Sequence, residues 1–417
     1  MARSRMLLGA GALVLAVAGV PATAGAGAVT PDAAAFAHID ASGFTLNPGN
    51  TFDTAASLIT RLEGDPRIHR VSLSTVVTTA SPGHTGTWPL CHTTYLDPAY
   101  SPSGFCWDST DDTTSTWAPQ GVTGSGDADA SGLVGGRRLV AASWHGPDDT
   151  YARVSIADYS KPSAGVLYHH LLLVKPTVDS AGNPTFTQAA DHADGLMWYG
   201  DKLFLATGRR LEVYSLDHIW ATQTSGTDAG EVGLYPGGAY ARWHAWALPM
   251  IGYYLTTPSA STGCVERTGT TPCLNSISLA PSRDSFVTAE FHQPNEGGGR
   301  VIRWPLDATT ATGLPAAGAD GKVHATEAFS SPIWHMQGVA TDGTAFYLAG
   351  DCPGGVSANA HSCIHRAVPD QAPHVLTTAP PLLENLAYWP GSGELWGVNE
   401  AISSTGKRVV FKIHPNG

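Results

Sequence analysis

The sequence predicts an all-β protein built as a β-propeller. Five blades are expected, a sixth is left open, and a short helix and loop region precede them. Three observations carry this. The 417-residue chain holds 47 Gly and 29 Pro but only 14% charged residues. That composition suits many short strands joined by tight turns and does not suit a helical bundle. From residue 120 a loose unit recurs: a polar residue, a few small or apolar ones, a turn, then two further apolar strands. A sheet of three or four strands also has two faces to bury, which radial stacking achieves. A β-sandwich with similar hairpins is the alternative.

Residues 1–28 read as a secretory signal peptide. Arg3 and Arg5 precede the apolar run MLLGAGALVLAVAGV, and PATAGAGA offers small-residue cleavage sites. The run is short for a membrane span, and no second long apolar segment follows. Residues 29–118 form an N-terminal segment. In it TFDTAASLITRLEGDP has helical spacing at Ala55, Leu58, Ile59 and Leu62, a start capped by Thr51 or Asp53, and a stop at Gly64-Asp65-Pro66. RVSLSTVVTTA (70–80) is β-branched and alternating, so it is expected to be a strand that closes the ring. Residues 119–417 hold the repeats. These start at QGVTG, at ADGLMWYGDKLFLATG, at LNSISLAPSRDSFVTAEFH, at MQGVATDGTAFYLAGDC and at ENLAYWPGSGELWGVNE.

Six cysteines fall in three close pairs, so bridges Cys91–Cys106, Cys264–Cys273 and Cys352–Cys363 are favoured among 15 possible connectivities. Bridges and a signal peptide together imply a secreted, extracellular protein. The net charge of −12 and the lack of any basic cluster argue against nucleic acid as a partner. No membrane association is expected once the signal is cleaved. A monomer acting on a small molecule or glycan is the expectation.

In a propeller the first strand of each blade lines the tunnel, so equivalent positions converge. The leading residues read as Gln120, Asp194, Asn275, Gln337 and Asn385. The next strand runs back antiparallel, so its end reaches the same mouth. That end carries His145, Glu290, Asp351 and Glu400. Three chemistries fit such a funnel. In the first, Asp194, Asn275 and Glu400 hold Ca²⁺ or another divalent cation through oxygen, with Asp194 as base. In the second, a carboxylate pair cleaves a glycosidic bond, and Trp198 and Trp334 stack on sugar. In the third the mouth only binds a glycan or a cell-envelope partner. His192 and His335 lead two blades alike, in H-x-[D/Q]-G, so Asp194, His192, His145 and Glu290 are the candidate catalytic groups. Gln120, Gln337, Asn385, Trp198 and Trp334 are the candidate substrate contacts.

The stretch ADGLMWYGDKLFLATGRRLEVYSLD, and GGRVIRWPLD after it, resembles the strand units of lactonase-like propellers of the gluconolactonase and regucalcin type. The resemblance implies a metal ligand at Asp194 and a second at Asn275. Those enzymes have six blades and an early acidic ligand, which this chain lacks. G-x-S-x-G, H-E-x-x-H, Walker and G-x-G-x-x-G motifs are absent. The resulting expectation is a secreted hydrolase or lyase acting on a sugar, lactone or ester.

Overall fold

The computed structural model describes residues 34–292, 298–307, 312–401 and 407–416; the expected signal peptide lies outside them. Strand β1 (Ala37–Ile39) comes first, followed by helices α1 (Thr51–Glu63) and α2 (Leu73–Thr78) and strand β2 (Ser103–Cys106). An antiparallel meander then runs through β3 (Ala118–Gly124), β4 (Leu139–His145), β5 (Ala152–Asp158) and β6 (Val166–Val178). A second one uses β7 (Gly195–Tyr199), β8 (Lys202–Thr207), β9 (Arg210–Ser215) and β10 (Trp246–Leu255). The next comprises β11 (Ser276–Leu279), β12 (Ser285–Ala289), β13 (Arg300–Pro305) and β14 (Glu327–Ser330), with β1 added at its outer edge. It is followed by β15 (Gly338–Thr341), β16 (Phe346–Gly350), β17 (Ser362–Ala367) and β18 (His374–Ala379). The last has β19 (Leu383–Trp389), β20 (Glu394–Asn399) and β21 (Val409–Ile413), and β2 supplies its fourth strand.

The first strands of these meanders are neighbours in the order β3, β7, β11, β15, β19, and β19 returns to β3. That closed circuit is the arrangement of a propeller. Alternation along each strand fills the gaps between sheets. On β7, Leu196 and Trp198 join Ala141, Val154 and Leu171 of the preceding sheet. Met197 between them joins Ile277, Phe286 and Trp304 of the following one. The same alternation carries Val339 and Leu348 toward Val287 and Phe329, and Ala340 and Tyr347 toward Leu386 and Phe411. Finally Ala387, Trp396 and Val410 meet Val122, Val140 and Trp144, closing the circuit. Each such Val, Leu, Ile, Met or Phe side chain, fully buried, contributes roughly 1.5–3 kcal/mol relative to exposure.

Two sheets are also joined at their rims. Trp246–Pro249 of β10 pair in parallel with Leu171–Val174 of β6. Helix α1 covers that seam from outside, burying Ile59 and Leu62 against Leu172, Val174 and Ala247. Its N-cap is Asn50, which makes no side-chain cap hydrogen bond, and Gly64 ends it.

Two expectations about the N-terminal segment are corrected. Residues 73–78 are helical, not a strand: Ser72 caps them by accepting from the Thr75 N–H at 3.1 Å, and the β-branched Val76 and Val77 are buried as a helical face. The strand that completes the last sheet is β2, whose Cys106 opposes Val409. Residues 84–118 build no sheet of their own, since their other strand, His84–Gly86, pairs with β6. The bridges Cys91–Cys106, Cys264–Cys273 and Cys352–Cys363 are present as expected, which fits an oxidising compartment. Among the described residues no helix is long and apolar enough to cross a membrane.

Candidate functional site

The five inner strands share one register, and it corrects the sequence reading in a single place. Gln120-Gly121, Asp194-Gly195, Asn275-Ser276 and Gln337-Gly338 open four of them. The matching pair in the fifth is Glu384-Asn385, so the leading residue of β19 is Glu384 and not Asn385. The same bulge occurs in β3, between Pro119 and Val122, and in β19, between Leu383 and Leu386. It separates the aims of two adjacent side chains, one to the mouth and one to the tunnel.

Asn385 therefore occupies the second ring, the one made of small residues, and it is fully buried. Its Oδ1 accepts from the Ser276 hydroxyl at 2.5 Å and the Ile277 N–H at 3.3 Å. Its Nδ2 faces the carbonyls of Val122, Leu196 and Ile277 at 3.1–3.3 Å. Ser276 Oγ in turn accepts from the Val339 N–H at 2.9 Å. One amide thus links all five inner strands directly or through one hydroxyl. Glycines let the inner strands approach this closely: a Cβ on Gly121 would lie 2.5 Å from the Leu196 nitrogen, and one on Gly195 2.7 Å from that of Ile277. Asn385 plugs the tunnel, and the expectation that it contacts substrate is overturned.

Above this plug the leading residues form the floor of the mouth. Asn275 Nδ2 donates to Asp194 Oδ1 at 3.2 Å, and Gln337 Nε2 donates to Glu384 Oε1 at 2.9 Å. Glu384 is buried and hydrogen-bonded to Glu400, which reaches in from just beyond the end of β20. The Glu400 carboxylate also faces His145 and Gln120. His145 Nε2 lies 4.0 Å from Glu400 Oε1. The His145 and His192 rings stack with centroids 4.3 Å apart, and Nδ1 of each lies 3.0 Å from the same oxygen, Oδ1 of Asp149.

Burial sets the acidities here, and neighbours modify them. Burial, reinforced by the negative charges of Glu400 and Asp194, pushes Glu384 well above the usual glutamate value. Burial raises Asp194 to about 6, against the opposing pull of His192 and the Asn275 amide. For Glu400 burial is outweighed by the side chains of His145 and Gln120, which hold it below the usual value. For His145 burial is outweighed by Glu400, the Gly146 carbonyl and Asp149, which raise it.

A cavity of about 530 Å³ opens beside this floor, lined by Phe291, Trp334, His335, Gln337, Asp351 and the loop of the Cys352–Cys363 bridge. Gln337 belongs both to the cavity wall and to the Glu384 hydrogen bond. His335 is fixed by Asp351 at 3.0 Å and stacks on Phe291. The backbone approaching the floor is strained: Ala193, His335 and Leu382 have φ of +61°, +47° and +50°. Such outliers persist where surrounding structure imposes them, and they cluster at working sites.

Several candidates lie elsewhere or do other work. Glu290 is buried in a bidentate pair with Arg300, at 2.7 Å on both oxygens, and accepts the backbone N–H groups of Arg267, Cys273 and Arg300. Its lone pairs are committed to fastening the Cys264–Cys273 loop, so its catalytic role is withdrawn. Trp198 is fully buried between sheets and donates to the Gly200 carbonyl, out of reach of any sugar. Trp334 does face the cavity. Asn275 Oδ1 accepts from the Phe291 N–H at 3.1 Å, which turns its nitrogen toward Asp194. Of the expected trio, Asp194 and Asn275 meet through the amide nitrogen, and Glu400 lies against Glu384 and His145. Glu384 and Asp149 went unrecognised in the sequence. Aligning E-N-L with D-G-L and Q-G-V would have found the first. Asp149 has no sequence signal, since a loop with left-handed φ at both Asp148 and Asp149 brings it to His192.

No family model matches this sequence, and no curated protein is similar to it. Solved structures show distant likeness. A gluconolactonase from Xanthomonas campestris is 12% identical, with 80% of this chain and 98% of that one covered at a TM-score of 0.36. A putative 6-phosphogluconolactonase from Bacteroides uniformis is 13% identical, with 67% and 69% covered at 0.28. The hydrazine synthase of Kuenenia stuttgartiensis is 10% identical, with 72% and 88% covered at 0.31. Scores this low leave both fold and chemistry to be argued from the sheets and side chains themselves.

Proposed function

We propose that this protein is an exported enzyme with a five-bladed propeller fold, hydrolysing sugar lactones or sugar esters in the mouth above the Asn385 plug. The observation that carries the reading is the Glu384–Glu400 pair. Two carboxyl groups in one hydrogen bond hold a single proton between them, so one can donate while the other accepts. Hydrolysis of an acyl–oxygen bond needs both acts. In this reading the ionised Glu400 takes a proton from water as its oxygen bonds to the acyl carbon. The protonated Glu384 gives its proton to the departing alkoxide oxygen as the acyl–oxygen bond breaks. Gln337 orients Glu384, and Trp334 and Phe291 give the cavity the apolar wall on which the carbon face of a sugar rests. Signal peptide and bridges support export.

The test is a panel of aldonolactones, aryl esters and aryl glycosides, run on the wild type and on Glu384→Gln and Glu400→Gln variants. Lactone or ester turnover is expected to fall by about 10²-fold or more in either variant, the scale of one acid–base group, with circular dichroism unchanged. Turnover confined to aryl glycosides would transfer the pair to glycosidic bonds and refute the acyl assignment. Absence of turnover on every substrate, with specific glycan binding, would make the mouth a recognition site.

A further inference from the structure

We infer that His145, Asp149 and His192 form a binding site for one divalent transition-metal ion of the zinc class. The inference stands apart from the proposed hydrolysis, because it rests on ligand geometry and its test reads metal binding.

One donor atom from each of the three residues lies within 4.8 Å of the others, and Nδ1 of both histidines is 3.0 Å from the shared Oδ1 of Asp149. A tetrahedral zinc ion with bonds of about 2.0–2.1 Å spaces its ligand atoms about 3.3 Å apart. Two edges of that tetrahedron are already near this length. Two imidazoles and one carboxylate are also the donor set that such ions prefer over Ca²⁺, which takes oxygen.

The surroundings fit ligation. A metal-bound imidazole directs its other ring nitrogen at a carboxylate or carbonyl, which fixes tautomer and orientation. His145 Nε2 is buried and faces the Glu400 carboxylate at 4.0 Å. Nδ1 of His145 lies 3.0 Å from the Gly146 carbonyl as well. Ligation would take that nitrogen and leave the ring proton on Nε2, toward Glu400. Asp149 is carried to the two rings by consecutive left-handed residues, Asp148 at +51° and Asp149 at +54°. That conformation is one Asp adopts more readily than most non-glycine residues, and it holds the carboxylate against the Nδ1 edge of both stacked rings. His192 and Asp149 are nearly half exposed, at 44% and 49%, so water can reach a fourth position.

Two other clusters lack this capacity. In His84, Asp111 and His170 the carboxylate is already engaged, with Arg153 on Oδ1 at 2.6 Å and the Tyr168 hydroxyl on Oδ2 at 2.7 Å. Around His92 both sulfurs belong to the Cys91–Cys106 bridge.

The experiment is calorimetric titration of the chelator-treated mature protein with ZnCl₂ and, separately, CaCl₂. The same titrations are run on Asp149→Ala and His192→Ala, whose half-exposed side chains can be removed without opening the core. One zinc per chain is expected. Affinity should weaken on the order of 100-fold in each variant, since either loses a direct ligand. Co²⁺ should give the visible absorption of a tetrahedral N/O site in the wild type and lose it in both variants. Zinc binding unchanged in the variants, or calcium binding as tight as zinc, would overturn the site. A Glu384→Gln protein that binds zinc normally but turns over no substrate would leave both readings standing. A protein that binds no zinc yet turns over lactones would remove the metal site alone.

Discussion

Replacing Asn385 by alanine tests the geometry on which the site depends. The substitution removes one amide that accepts from Ser276 and Ile277 and faces the carbonyls of Val122, Leu196 and Ile277. No solvent reaches the position to compensate, since Asn385 is completely buried. The Ser276 hydroxyl and the Ile277 N–H are left without that acceptor. Each stranded buried group costs about 1–3 kcal/mol, and three carbonyls lose a donor at smaller cost. The sum is about 3–5 kcal/mol, a large part of the 5–15 kcal/mol by which a domain is usually stable. Urea denaturation, followed through the fluorescence of the 12 tryptophans, should show the midpoint fall accordingly. A variant within about 1 kcal/mol of the wild type would refute the meeting of the inner strands around this side chain.

Three more outcomes follow from buried groups. At the other end of β3, burial outweighs the Thr123 hydrogen bond and the charge of Arg283 and pushes Asp127 up to about 7. The folded protein then keeps a proton that the unfolded chain releases near the ordinary aspartate value, so stability falls as pH rises between those values, by up to about 4 kcal/mol. Asp127→Asn should flatten that slope between pH 4 and 8 and be the more stable protein at pH 8; parallel slopes in urea titrations would contradict the assignment. Arg300→Leu strands the buried Glu290 carboxylate and should lower stability by about 3–5 kcal/mol in urea denaturation. Gly195→Ala drives a methyl to within 2.7 Å of the Ile277 nitrogen and should cost about 1–3 kcal/mol by overpacking, whereas Gly200→Ala on the turn, with nothing within 4 Å, pays only the strain of its left-handed φ.

The repeats were legible because each sheet carries its own alternation and turn residues, which local sequence reports directly. The convergence of Gln120, Asp194, Asn275 and Gln337 followed from that. The fifth unit was misread by one residue because Glu384 and Asn385 are both polar, and only their placement in the sheet separates their aims. Residues 73–78 misled because Val and Thr favour strands in isolation, while a serine cap and two buried valines decide the matter locally. Trp198 lies close in sequence to the leading residue Asp194, but alternation sends it into the gap between sheets. The His145–Asp149–His192 cluster joins a strand end, a loop and the entry to another sheet, and no spacing rule connects such places.

The pairing of β2 with β21 has a consequence for how the molecule is made. Cys106 must wait for Val409, so the first of these two strands to leave a ribosome or a translocon has no partner until nearly the whole polypeptide has followed. Contacts between segments so distant along the chain make acquisition of the native state slow. Until the two meet, the last sheet lacks an edge and its interior faces solvent. A circular permutant that joins the present ends and begins instead between β2 and β3 would bring the partners closer in sequence, with only β1, α1 and α2 between them. It should reach the same final architecture sooner.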